Sequence, residues 1–267
     1  MEMPESEDAT LENTKVFVLD MDGTIYLGRE LFPFTKDFLS KVTETGRTFY
    51  FFTNNSSKSQ QAYIEKLDFM EIKITKEQMM ISSHVMIRFL MEEHHGKSVY
   101  VVGTPSLLEE FRKFGITLVQ EDPDIVVLGF DTTLTYEKLS KACSFIRSGC
   151  LYYGINPDLN CPMEGGTFIP DCGSMAKLVE ASTGRYPEFF GKPSRHTLDY
   201  IIRETGCRPE EIAIVGDRIY TDIAVADGSN VTSILVLSGE STIEDVEKSS
   251  VKPDLIVNDL SELTMHL

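Results

Sequence analysis

The stretch VFVLDMDGTIYLG, Val16 to Gly28, decides how the chain is read. Four apolar residues run without alternation into Asp20, and a second acid, Asp22, follows ahead of Gly23. An unbroken apolar run of this length predicts a strand buried on both faces, as in a parallel sheet. Two carboxylates so close repel each other and resist losing water. A strand that ends on them therefore needs a compensating positive charge.

Working outward, strand-like and helix-like segments alternate, which predicts a largely parallel α/β sheet. Further strands are expected at Thr48–Phe52, Met79–Ile81, Glu188–Phe190, Glu211–Asp217 and Thr232–Gly239, with an edge strand in PDLIVNDL. Helices are expected at Thr35–Thr45 (closed by Gly46), Lys58–Phe69 and His196–Thr205. The middle of the chain repeats the rhythm with helices near His84–His94, Ser106–Phe114, Tyr136–Ser148 and Met175–Ser182 around three apolar strands, enough for a second compact unit. No Gly/Ser or Pro-rich linker marks its seams, so one continuous sheet fits the pattern as well.

The totals narrow the class. The chain has 267 residues, 42% of them hydrophobic, with 25 Lys plus Arg against 42 Asp plus Glu and a formal charge of −17. That balance argues against a nucleic-acid or anionic-membrane partner, although a locally positive site can still hold a small anion. Five cysteines form no C-x-x-C pair and read as reduced thiols. Residues 1–14 read as a frayed acidic leader without an export signal. No apolar run approaches the roughly 18 residues that span a bilayer. A cytoplasmic location without membrane contact is expected.

Chemistry concentrates at strand ends. Asp20 ends one strand, and Asp217 ends another in AIVGDRIYTDI, with Asp222 five residues on. In open parallel sheets ligands gather beyond the carboxyl ends of the strands. Carboxylates converging there suit a hard divalent cation such as Mg2+. FFTNNSSKS places Thr53, Asn54, Asn55, Ser56 and Ser57 where a strand meets a helix. Hydroxyls and free N–H groups there favour phosphate, though an ordinary helix N-cap accounts for the same residues. FFGKPS adds Lys192, with Pro193 fixing the backbone behind it. Acid, hydroxyl, cation and acid, in that order at four strand ends, are the parts of a phosphoryl transfer.

DMDGTIY, FTNNSS, GKPS and GDRIYTDI resemble the four motifs of the haloacid dehalogenase superfamily of aspartate-nucleophile phosphatases. More narrowly they resemble its NagD-like, p-nitrophenyl-phosphatase-type branch, to which VLGFDTTLTY, GINPD and ILVLSGES are also similar. LFPFTKDF departs from the pattern near Phe34, where relatives often carry glycine; this bears on a loop only. The resemblance implies a doubly wound, Rossmann-like parallel core in 15–82 and 188–267 with an inserted α/β cap domain in 83–187. It further implies Mg2+-dependent hydrolysis of small phosphate monoesters (a sugar phosphate, nucleoside monophosphate, phosphoglycolate or similar) through an aspartyl phosphate.

By the same resemblance Asp20 is the nucleophile and Asp22 the general acid and base. Mg2+ is held by the Asp20 side chain, the Asp22 backbone carbonyl and Asp217. Thr53, Asn54 and Lys192 bind the phosphoryl oxygens, while Asp222, Gly23 and Asn55 support them. Asp131, Asn156, Asp158 and Asp171 are candidates for lining the substrate side of the cap, although turn chemistry explains Asn-Pro-Asp equally well. The partner implied is a small phosphorylated metabolite, with a homodimer through the cap left open. A phospho-accepting signalling receiver has similar parts, but the long insert and an acid two residues after the nucleophile weigh against it. A phosphosugar mutase of the superfamily usually carries a helical cap after the first motif. A catalytically idle binding protein would not need every chemical position filled.

Overall fold

The computed structural model describes residues 11–163 and 166–267. The chain divides into two units. The first comprises the chain up to Phe52, Leu67–Met80 and Thr197–Leu267. It is built on a six-stranded sheet ordered Leu255–Val257, Thr232–Val236, Ile212–Gly216, Val16–Leu19, Thr48–Thr53 and Met79–Ile81. The first five of these pair in parallel. The chain winds outward from Val16–Leu19 in one direction and from Ile212–Gly216 in the other, so the order reverses between these two strands. This is the doubly wound topology expected, with its switch point beside Asp20.

The local physics follows the sequence pattern. All four residues of Val16–Leu19 are buried, as a central parallel strand requires. Phe17 meets Phe38 edge-on, ring centroids 5.6 Å apart. Phe38 comes from the helix Thr35–Glu44, which turns Thr35, Phe38, Leu39 and Val42 inward at helical spacing. Gly46 follows that helix with φ +75°, where a side chain would be strained.

The second unit comprises Thr53–Lys66 and Ile81–His196. It has its own sheet of five parallel strands, in the order Glu188–Phe189, Leu151–Gly154, Ile125–Leu128, Ser98–Val102, Thr117–Leu118. Among the described residues the strands thus form two large sheets and not one continuous sheet. Tyr100, Val102, Val126, Leu128 and Tyr152 pack with Ala142, Cys143 and Ile146 of the helix Tyr136–Arg147 and with Ala176 and Val179 of the helix Cys172–Thr183. An antiparallel hairpin, Asn160–Met163 with Thr167–Pro170, lies outside that sheet. Pro162 and Pro170 hid it from sequence reading, because proline argues against a strand.

Two observations bear on the expected bounds. Residues 1–10 lie outside the described residues, and Leu11 and Thr14, in the stretch expected to be leader, are buried. Thr14 N–H donates to Leu11 O, and Arg47 Nε donates to Thr14 O at 3.0 Å. The unit boundaries also differ from 15–82, 83–187 and 188–267. Glu188–Phe189 completes the second sheet, since its partner is Leu151–Gly154. The segment after Phe52 joins the second unit because Ser56 Oγ accepts from Phe130 N–H at 2.9 Å and donates to Asn156 Oδ1 at 2.8 Å.

Leu11→Ala is expected to destabilise the protein by about 2–5 kcal/mol, as for other buried leucines. Urea unfolding measures it, and a change within about 0.5 kcal/mol would return Leu11 to a frayed leader.

Candidate active site

Parallel pairing puts Leu19 opposite Val215, and Asp20 N–H donates to Val215 O at 2.8 Å. Asp20 and Asp217 therefore leave adjacent strands at the same end of the sheet, at the switch point. Asp222 joins them from the π-helical turn Ile219–Ile223, a backbone form frequent at functional sites. Carboxylate oxygens of Asp20, Asp217 and Asp222 all lie within 4.8 Å of one another. The Asp22 carboxylate is not part of this cluster, which leaves its backbone carbonyl as the ligand expected of it.

The backbone around the cluster is shaped to it. Asp217 Oδ2 accepts from Glu240 N–H at 2.8 Å, and Asp222 Oδ2 accepts from Arg218 N–H at 3.0 Å. Gly23 has φ +91°, and a Cβ there would stand 2.4 Å from Asp217 Oδ2; at Gly239 it would stand 2.1 Å from the same atom. A positive φ is one reason for glycine at this turn. The structure adds a second reason, because any side chain would collide with Asp217.

Electrostatically the cluster is costly. Burial first, and then the charges of Asp20 and Asp222, push the Asp217 carboxyl well above the usual carboxylate range, while Arg218 and the Glu240 N–H pull it back in part. Asp217 is 2% exposed, and its Oδ1 has no hydrogen-bond partner. A buried carboxylate oxygen without a partner is expensive. A divalent cation would satisfy it, and the all-oxygen donor set fits Mg2+.

The second unit gathers the other sequence candidates into a network of its own. Thr53 Oγ1 accepts from Asn55 N–H at 3.2 Å, and Asn55 Oδ1 accepts from the N–H and hydroxyl of Ser57. The following helix is capped by Ser59, whose Oγ accepts from Ala62 N–H, so the Thr53–Ser57 run is not an N-cap. Asn54 clamps the backbone of Lys192: its Oδ1 accepts from Lys192 N–H at 2.8 Å, and its Nδ2 donates to Lys192 O at 2.9 Å. The same Nδ2 donates to Asp158 Oδ2, and Asn156 Nδ2 bridges Asp158 and Asp171. Lys192 is 2% exposed. Asp171 also caps the helix Cys172–Thr183. Asp131 pairs with Lys138 at 2.7 Å and accepts from Thr133. These bonds give Asp131, Asn156, Asp158 and Asp171 a structural duty inside their own unit.

Comparison with known proteins shows the family of the chain. A family model described as haloacid dehalogenase-like hydrolase matches residues 17–117, and a second, HAD-hydrolase-like model matches residues 189–263. The acid sugar phosphatase of Staphylococcus aureus (strain MRSA252) is 33% identical over 258 residues, covering 96% of this chain and 99% of the relative. The chain belongs to the haloacid dehalogenase-like hydrolases. Among solved structures, 4-nitrophenylphosphatase from Thermotoga maritima superposes with a TM-score of 0.92 at 41% identity over 96% of this chain and 98% of that one. NagD from E. coli K-12 gives 0.86 at 28% identity, over 93% and 98%. This enzyme is thus a hydrolase of the NagD-like branch, with relatives named as phosphatases.

Sequence reading of this haloacid dehalogenase-like hydrolase missed the loop 238–241, quoted for its likeness but given no role. Ser238 Oγ donates to Gly23 O at 2.8 Å, and Ser241 Oγ accepts from Ile219 N–H at 3.2 Å. The loop thus fastens two acid-bearing turns. A glycine ahead of an acid after the strand Thr232–Val236 was the available signal.

Replacing the strained carboxylate relieves the cluster but removes its ligand. In EDTA, Asp217→Asn is expected to raise Tm by roughly 2–4 °C, whereas added MgCl2 raises the melting temperature of wild type and leaves the variant unmoved. Thermal melts decide it; a variant that gains as much as wild type from MgCl2 would remove Asp217 from the metal site.

Proposed function

We propose that the chain is a Mg2+-dependent phosphatase of small phosphate monoesters that works through an aspartyl phosphate. The observation that carries this reading is the convergence of Asp20, Asp217 and Asp222 within 4.8 Å around an unpartnered buried oxygen at the switch point. Family membership supports the assignment of each role to its motif.

In this reading Asp20 attacks phosphorus, forming one O–P bond as the bond to the leaving oxygen breaks. Asp22 gives that oxygen its proton and then takes one from the water that attacks the phospho-enzyme, releasing phosphate and restoring Asp20. Bound by Asp20, Asp217 and the Asp22 carbonyl, Mg2+ would supply charge neutralisation for the incoming phosphate. Thr53, the Asn54 N–H and Lys192 hold phosphoryl oxygens on the strength of the family's motif pattern. Lys192 is suited by its buried, clamped backbone. Asp222 orients from behind the ligands, and the second unit serves as the cap that excludes water.

The substrate class follows the relatives' names: a small phosphorylated metabolite, with sugar phosphates first. All five cysteines are free, which suits a reducing cytoplasm, and no helix of the described residues is long and apolar enough to cross a membrane. A homodimer through the second unit is part of the proposal on family likeness alone.

Hydrolysis of p-nitrophenyl phosphate is expected with MgCl2 and not with EDTA, and Asp20→Asn should lower kcat by a factor of about 1,000 or more. Near-normal turnover in the variant would remove Asp20 as nucleophile, and chelator-insensitive turnover would remove the metal. Lys192→Ala should weaken competitive inhibition by inorganic phosphate by roughly tenfold. Unchanged inhibition would take Lys192 out of the phosphate site.

A further inference from the structure

The backbone that carries Lys192 is gripped along its length. Gly191 N–H donates to Ile155 O at 2.6 Å, and a Cβ at Gly191 would stand 2.7 Å from Asn54 Oδ1 and 2.9 Å from Ile155 O. The Asn54 amide then gives one bond to the Lys192 peptide and takes one from it. Asp158 holds that amide in turn. Its Oδ2 accepts from Asn54 Nδ2 and from Asn156 Nδ2, each at 2.9 Å. A carboxylate oxygen in this place selects the NH2 end of each amide, which leaves Asn54 Oδ1 for the Lys192 N–H.

Asp158 is itself anchored without help from Asn54. Gly173 N–H donates to Asp158 O at 2.8 Å, and a Cβ at Gly173 would stand 2.1 Å from Pro157 O. Asn156 is tied to Asp171 by its Nδ2 and to Ser56 by its Oδ1, and Asp171 Oδ1 also accepts from Cys172 N–H. The backbone of Asp158 is thus seated on the first turn of the helix Cys172–Thr183. All of these residues belong to the second unit.

We propose that Asp158 is a positioning residue for anion binding by Lys192. It holds the Asn54 amide against the Lys192 peptide and so fixes the point from which the lysine side chain starts. Without this carboxylate the amide loses its tie to the helix Cys172–Thr183, and more freedom must be lost when an anion binds. That role presupposes the phosphate role of Lys192 proposed above.

Competitive inhibition of p-nitrophenyl phosphate hydrolysis by inorganic phosphate, measured on the full chain across a double-mutant cycle, tests it. Asp158→Ala should raise the inhibition constant about fivefold, and Asp158→Asn, which retains an acceptor oxygen, about threefold. In a Lys192→Ala background neither should change it by more than about twofold, because the side chain being positioned is gone. Asp131→Asn breaks an ion pair of the same unit and should leave the constant within about twofold of wild type. A general loosening of the unit would weaken inhibition equally in both Lys192 backgrounds, or equally in Asp131→Asn. Either result overturns the proposal, as does wild-type inhibition in Asp158→Ala. Where Asp158→Ala does not fold, Asp158→Asn decides by the same comparison. If wild type is not inhibited, or Lys192→Ala alone leaves inhibition unchanged, the phosphate role of Lys192 falls and the positioning role falls with it.

Discussion

The repulsion among Asp20, Asp217 and Asp222 is the constraint on which the first unit is organised. Three carboxylates within 4.8 Å are unfavourable, and Asp217 bears the cost most visibly, buried and raised in pKa. They are held there by something stronger, the parallel pairing of two apolar strands whose residues are fully buried. Hydrophobic burial fixes the backbone, and the backbone has no way to carry the acids apart. Glycines at 23 and 239 then close the walls to the point where no side chain fits. On the proposed reading a cation offsets that expense, which ties the chemistry to the fold.

The second unit solves a different problem with a different material. Around Lys192 its polar interior is satisfied by amides, with Asn54 and Asn156 each using their Nδ2 for two acceptors. Asn54 treats the Lys192 peptide as another strand would, giving and taking one bond. A buried lysine has many rotamers to lose, and on the proposed reading a fixed peptide lowers what remains to be ordered when a phosphate binds. The acids Asp158 and Asp171 belong to this scaffold.

Much of this was legible in the chain. Val16–Leu19 could be read because a central strand leaves no polar residue in its run, and Asp20 and Asp217 because an acid directly after such a run has few structural excuses. The alternation of elements pointed to a parallel α/β core, and the order of its six strands came only from their pairing. What was not legible depends on partners distant in sequence. Ser56 reveals its allegiance only through Phe130 and Asn156. Glu188–Phe189 is a two-residue strand that either sheet would accept, and only its pairing with Tyr153 and Gly154 decides. Asn156, Asp158 and Asp171 read as turn residues or ligands alike, since both need the same short polar side chains. Nothing near Leu11 signalled that its side chain is buried.

In the proposed function a divalent cation neutralises the three acids that the backbone brings together. Anomalous diffraction from crystals grown with MnCl2 tests it most directly. A single manganese peak bonded to the carboxylates of Asp20 and Asp217, with Asp222 facing it, is the result expected. A cluster without a peak, its charge met instead by an arginine or lysine side chain, would contradict it.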